Sequence, residues 1–138
     1  MRVLAGSLGS VLVVLAALHV YWAVGGVTGG SAVPSRPDGT PVFRPGPVAS
    51  LAVALALTIA GGLVLARANV VPPVLPAPWI RGGVWAVAAA FAARTVGEFR
   101  YVGLFRRVHG TAFARWDAWL FTPLCFVLAA GTAVLAVS

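Results

Sequence analysis

Four runs of apolar residues, each about as long as a membrane crossing, dominate this chain of 138 residues. A helix needs about 20 mostly apolar residues to cross the roughly 30 Å hydrocarbon layer of a bilayer. The runs cover residues 3–26, 48–66, 80–102 and 118–137. Only 9% of the residues are charged, against about 25% in an average soluble domain. The sequence therefore predicts an all-α, four-helix transmembrane bundle, with residues 1–138 forming a single integral membrane domain.

The segments between the runs have the composition of connections. Residues 25–47 are rich in Gly, Pro and Ser, and residues 67–79 contain four prolines that cannot continue a helix. In the second run, small residues recur every four positions from Ser50 to Ala66, which predicts a close helix–helix contact. A cleaved signal peptide is the alternative for the first run, but that run is longer than the usual apolar region of about 7–15 residues.

The net charge of +7 comes from ten arginines against three acidic residues. These arginines flank apolar runs and form no basic patch interleaved with aromatic residues, so they indicate lipid headgroups and exclude a nucleic-acid partner. A single cysteine, Cys125, rules out an intrachain disulfide. Two separated histidines do not form a metal or haem motif, so we predict no metal and no cofactor.

Charged residues near the end of the third run form the first candidate site. Arg94 and Glu98 are four residues apart, and Tyr101 follows three residues later. On a continuous helix these three share one face, and Arg94 and Glu98 can pair. Arg100 points to the opposite side. Charged residues at membrane depth are costly and indicate a functional site; a self-neutralised Arg94–Glu98 pair is the structural alternative.

Alternating helix directions bring residues from other runs to the same end of the bundle. His19 and Trp22 lie near the end of the first run, and Asp117 lies at the start of the fourth, where it is a good N-cap. We therefore expect one polar layer with His19, Glu98 and Asp117 as catalytic candidates and with ligand-binding candidates Trp22, Arg94, Arg100 and Tyr101. A histidine beside carboxylates is suited to acid–base or proton-relay chemistry. Pro123 predicts an irregularity early in the fourth helix.

Four segments resemble a family of small bacterial membrane proteins catalogued as domain of unknown function 3995. They are His19–Gly26, Arg94–Gly103, Phe113–Asp117 and Thr122–Cys125. The family pattern usually has Asp where this chain has Glu98 and Ser where it has Thr122, and both changes keep the chemistry. The resemblance implies a four-span membrane protein, in the bacterial cell membrane, and implies no particular activity.

Three functions fit the polar layer. The first is a site that binds or acts on a lipid-like or small amphipathic ligand, in a protein whose other partner is the lipid bilayer. The second is a small proton-coupled transporter, working as a homo-oligomer, with Glu98 as the titrating group. The third is a structural or partner-binding membrane subunit. Three arginines lie on the side of the termini and six on the other side, but arginines that serve a site do not report orientation, so orientation stays open.

Overall fold

The structure, a computed structural model, describes residues 1–25 and 32–138, and these residues form four helices. The helices are α1 (Arg2–Ala23), α2 (Pro47–Arg67), α3 (Ala77–Val96) and α4 (Ala112–Val137), with a π-helical turn inside α4 at Asp117–Phe121. Extended pairing within the described ranges is limited to an isolated antiparallel bridge between Ser35 and Pro41. The predicted all-α class is confirmed.

Three of the helices, α1, α2 and α4, are long and apolar enough to cross a membrane. α3 has 20 residues but is less apolar, because Arg81 and Arg94 both lie within it. The structure is therefore that expected of a membrane protein with three clear candidate spans in the described part of the chain. The fourth crossing stays a prediction.

The helices pack mainly as two pairs, α1 against α2 and α3 against α4, and α2 also contacts α3. The largest fully buried apolar side chains are Leu12, Val64, Val84, Leu128 and Leu135. Glycines permit the close approach of neighbouring helices. A Cβ added at Gly9 would lie 2.8 Å from the Cδ2 of Leu65, and one at Gly83 would lie 2.8 Å from the Cδ1 of Leu63. Such contacts hold helices together where lipid offers no hydrophobic contrast.

The predicted small-residue stripe on α2 is correct only at its ends. Ser50 and Ala54 are buried, but Thr58 and Gly62 are exposed, and a Cβ at Gly62 would meet no atom within 4 Å. An α-helix has 3.6 residues per turn, so each step of four residues rotates the position by about 40°. After two steps, at Thr58, the stripe has left the face of Ser50 and Ala54, and further along Gly61 is buried in place of Gly62.

The first and third helices end earlier than the sequence predicts. α1 ends at Ala23, and the predicted final residue, Gly26, lies outside the described residues, as does part of the predicted loop 25–47. α3 begins at Ala77 and ends at Val96, so the predicted span 80–102 is wrong at its carboxyl end. Gly97, at the C-cap, takes φ +84° and ψ −175°, a backbone conformation that is almost confined to glycine and does not continue a helix.

The fourth helix begins earlier than predicted, at Ala112. Its N-cap is Thr111, whose Oγ1 accepts a hydrogen bond of 3.0 Å from the N–H of Ala114. The prediction of Asp117 as the N-cap is therefore wrong. Asp117 lies one and a half turns inside the helix, and its carboxylate is free to make other contacts.

Candidate functional site

Asp117 is fully buried and accepts hydrogen bonds from four groups. Arg94 Nη2 lies 2.7 Å from Oδ1, whereas Oδ2 accepts from Arg106 Nη1 at 3.1 Å, from the Gly103 N–H at 2.8 Å and from Thr122 Oγ1 at 3.1 Å. We call these five residues the Asp117 cluster. Every donor points at one carboxylate, so the cluster joins α3, the segment that follows it, and α4.

The backbone of α4 is irregular where it carries Asp117. Pro123 has no N–H to donate to the carbonyl four residues earlier, and the π turn Asp117–Phe121 lies immediately before it. Asp117 and Thr122 are five residues apart, the hydrogen-bonding interval of a π-helix. The predicted irregularity at Pro123 thus takes the form of a π turn, and π turns are often found at functional sites.

The segment 97–110 folds back onto the end of α3. The Thr95 carbonyl accepts from the N–H of Leu104 at 2.9 Å. A Cβ placed at Gly97 would overlap the carbonyl oxygen of Val102, so the backbone at Gly97 is in direct contact with the backbone at Val102. This close approach places the Gly103 N–H beside Asp117.

Glu98 closes this turn and does not pair with Arg94. Its Oε1 accepts from the backbone N–H groups of Tyr101 and Val102. The predicted Arg94–Glu98 pair is wrong because α3 ends at Val96, so the helical spacing of four no longer applies. Tyr101 does not share a helical face with Arg94 for the same reason. The Arg100 guanidinium lies 5.2 Å from the ring centre of Tyr101, in cation–π contact.

His19 and Trp22 belong to a different place, which we call the His19 cleft. It has a volume of about 610 Å³ and lies between α1, α2 and the segment 32–46. The His19 and Trp22 rings meet edge to face with centres 5.0 Å apart. Within residues 1–25 and 32–138, no hydrogen bond or ion pair joins His19 to the Asp117 cluster. The structure therefore divides the predicted polar layer into two sets.

The wall of the His19 cleft opposite the helices is held by its own hydrogen bonds. The Asp38 carboxylate accepts from the Thr40 N–H at 2.9 Å and from its hydroxyl at 2.6 Å. These bonds hold the pKa of Asp38 below its usual range. Arg36 donates to the Pro41 carbonyl at 3.1 Å. The segment thus has a defined shape where it faces α1 and α2.

Two polar atoms of the Asp117 cluster remain without partners. Arg94 Nη1 and Arg106 Nε are buried and have no hydrogen-bond acceptor among the described residues. The two guanidiniums exceed the single carboxylate by one positive charge. The described residues contain no group of three His, Cys, Asp or Glu side chains that is able to hold a metal ion.

The structure adds three residues to those that the sequence singled out. Arg106 is one of the arginines that the sequence associates with lipid headgroups, but its guanidinium binds Asp117 and its side chain is 13% exposed. Gly103 contributes through its backbone, which no side-chain pattern reports. Thr122 contributes its hydroxyl, which the π turn brings to Asp117. The sequence signal for that turn is the neighbouring residue, Pro123.

Comparison with known proteins gives one match. No curated protein and no solved structure matches the chain significantly. The family model described as "Protein of unknown function (DUF3995)" matches residues 12–132. This range includes α2, α3, most of α1 and α4, the Asp117 cluster and the described lining of the His19 cleft. The chain is therefore a member of the DUF3995 family.

Proposed function

We propose that the protein binds a small amphipathic, lipid-like ligand in the His19 cleft. Ligand sites are typically concave, mostly apolar and about 300–1,000 Å³ in volume, with a few polar groups that orient the ligand. The cleft has this character, since Val33, Phe43 and Val53 line it together with His19 and Trp22. The sequence predicted such a ligand, and the structure favours a different position for it.

The observation that carries the proposal is an unsatisfied donor on a residue that lines the cleft. Trp22 Nε1 is buried and has no acceptor among the described residues. Leaving such a donor unpaired costs about 1–3 kcal/mol, and a ligand oxygen would remove that cost.

His19 supplies the complementary group. Its Nδ1 lies 2.8 Å from the Leu15 carbonyl oxygen. A carbonyl only accepts, so Nδ1 carries the hydrogen, and in the neutral ring Nε2 is left as an acceptor. A donor on Trp22 and an acceptor on His19 together suit a hydroxyl or carboxyl headgroup. Arg44, also in the lining, adds a second donor for the carbonyl oxygen of a carboxyl headgroup.

We further propose that α3 also crosses, making a four-span bundle in a bacterial cell membrane. A helix of 20 residues is about 30 Å long, the thickness of the hydrocarbon layer. Arg81 and Arg94 lie toward opposite ends of α3, and Arg94 is neutralised by Asp117. Exposed tryptophans lie near both ends, Trp79 at the start of α3 and Trp119 near the start of α4, as in an interfacial aromatic belt.

In this proposal the Asp117 cluster is architectural. Its described contacts join the end of α3 and the segment 97–110 to the irregular part of α4. Glu98 is exposed, and its carboxylate accepts hydrogen bonds from two backbone N–H groups. This position does not favour Glu98 as the titrating group of a transporter, and that hypothesis stays a prediction.

Photolabelling tests the proposed ligand site. Protein in liposomes is irradiated with a diazirine-labelled fatty acid, and the labelled peptides are identified by mass spectrometry. We expect labelling of peptides containing His19–Trp22 and residues 33–53 well above that of exposed positions on α3. Ala49→Trp fills the cleft and should remove this excess. Ala52→Trp, on the same helix but outside the lining, is the matched control. Uniform labelling of all lipid-facing helices, unchanged by Ala49→Trp, would favour a structural subunit.

A further inference from the structure

A second cleft lies at the opposite end of the bundle from the first. We call this end the Arg67 face; it holds the end of α2, the connection 68–76 and the start of α3. The cleft has a volume of about 680 Å³ and is lined by Arg67, Asn69, Arg81 and Trp85 together with apolar residues of the connection. It shares no lining residue with the His19 cleft.

The two arginines of this cleft have no acidic partner anywhere in the chain. The three acidic residues of the sequence are Asp38, Glu98 and Asp117. Asp38 lies in the segment 32–46, Glu98 follows α3, and Asp117 is in the π turn. All three are therefore at the other end of the bundle. The Asp117 cluster shows how this fold neutralises guanidiniums when a carboxylate is present. At the Arg67 face no acidic side chain is available, and neither Arg67 nor Arg81 forms an ion pair among the described residues, so a counter-charge from outside the chain is expected.

Local backbone groups do not replace that counter-charge. Arg67 is in the last turn of α2, where the helix dipole amounts to about half a negative charge. The carbonyls of Leu65 and Ala66 are already used, since they accept from the N–H groups of Val70 and Asn69 at 3.0 and 3.1 Å. Arg67 Nε is buried and has no partner among the described residues.

The remaining walls of the cleft are apolar. Ile80 is buried, and Leu75 and Trp85 are partly exposed along the lining. An anion with an attached apolar body fits such a cleft, whereas a fully hydrated ion would leave these walls in contact with water. Arginine binds phosphate oxygens in a planar, bidentate geometry, and basic pockets between membrane helices bind phospholipid headgroups.

We propose that the cleft of Arg67 and Arg81 binds the phosphate group of an anionic membrane phospholipid. The guanidiniums bind the phosphate oxygens, and the acyl chains descend along α3 past Trp85. This site is independent of the His19 cleft and of the ligand proposed for it.

Native mass spectrometry of the detergent-purified protein tests the proposal. The protein is titrated with phosphatidylglycerol, with phosphatidylcholine and with inorganic phosphate. We expect phosphatidylglycerol to bind more tightly than phosphatidylcholine, and Arg81→Gln and Arg67→Gln each to weaken it about fivefold to tenfold. Arg2→Gln is the matched control, because it removes the same charge from the same face but not from the cleft. It should change the affinity by less than about twofold.

Three results would overturn the proposal. The first is unchanged binding in Arg81→Gln, and the second is an equal loss in Arg2→Gln. The third is displacement of phosphatidylglycerol by inorganic phosphate at equal concentration, which would identify free phosphate as the ligand. Arg81 is exposed and has no described contact that supports the fold, so Arg81→Gln decides the matter even if Arg67→Gln is unstable. Ala49→Trp should leave phosphatidylglycerol binding unchanged, which separates this site from the proposed function.

Discussion

The carboxylate of Asp117 accepts more hydrogen bonds than any other side chain among the described residues. It is fully buried, whereas the side chain of Arg94 keeps 32% of its surface exposed and that of Arg106 keeps 13%. A buried charge of this kind is tolerated when each lone pair finds a donor. Because two cations share one anion, the members of the cluster are not equivalent, and their removal should have unequal effects.

Asp117→Asn should destabilise the protein more than Arg106→Met. The first change leaves two guanidiniums without a counter-charge, and breaking a buried pair costs about 3–5 kcal/mol; the partial exposure of Arg94 puts the expected loss near the lower limit. Arg106→Met leaves a neutral Arg94–Asp117 pair, and we expect a loss of about 1–2 kcal/mol. Thermal unfolding in detergent micelles measures both. Asp38→Asn, in the exposed segment 32–46, is the control, and equal losses from all three changes would contradict the assigned role.

At the scale of the element, the turn after α3 decides where the Gly103 N–H and Arg106 lie. Gly97 and Gly103 both take positive φ, and their backbones touch. Glu98 completes the turn by accepting two backbone N–H groups. The replacement of Glu98 by Asp would shorten this reach by one methylene while keeping the acceptor.

Gly97→Ala should disrupt this turn, whereas Gly110→Ala should not. Both glycines have φ near +84°, so both substitutions incur the strain of a backbone conformation that favours glycine, about 1–3 kcal/mol. A Cβ at Gly97 also overlaps the Val102 carbonyl, but one at Gly110 meets no atom within 4 Å. We expect Gly97→Ala to cost more than 3 kcal/mol, as severe overpacking does, and to increase proteolysis within 97–110. A similar, small effect of both substitutions would show that the turn is not closely packed.

A second prediction at this scale concerns Glu98. Glu98→Gln keeps an acceptor for the N–H groups of Tyr101 and Val102, whereas Glu98→Ala removes it. We expect a loss below about 0.5 kcal/mol for Gln and about 1 kcal/mol for Ala, measured by thermal unfolding. If Glu98→Gln instead abolished a proton-coupled flux in liposomes while the fold remained intact, the transporter hypothesis would replace the architectural role.

At the scale of the whole molecule, the two helix pairs place one cleft at each end of the bundle. The His19 cleft lies beside the α1–α2 pair. The cleft at the Arg67 face lies where α2 connects to α3. If α3 crosses the membrane, as proposed, the connection 68–76 and the segment 97–110 lie on opposite sides of it.

Cysteine accessibility tests that crossing. In a Cys125→Ser background, which removes the single native cysteine, Val74→Cys, Ser35→Cys and His109→Cys are exposed to a membrane-impermeant maleimide in intact cells and in inverted vesicles. We expect Ser35→Cys and His109→Cys to react from one side and Val74→Cys from the other. Reaction of His109→Cys and Val74→Cys from the same side would mean that α3 does not cross.

The sequence by itself determined the helical class, three of the membrane-spanning candidates, the family and the irregularity at Pro123, because these depend on local composition and spacing. Only the tertiary structure decided the partners of the charged residues. Arg94 and Asp117 are 23 residues apart, and they meet because α3 ends at Val96 and a π turn rotates α4. Helical spacing predicted the pairing of Arg94 with Glu98 because it assumes that the helix continues. Likewise, His19 was expected beside Asp117 from helix direction alone, but direction fixes only the end of the bundle at which a residue lies. Its neighbours depend on which helices pack together, and here α1 packs mainly against α2.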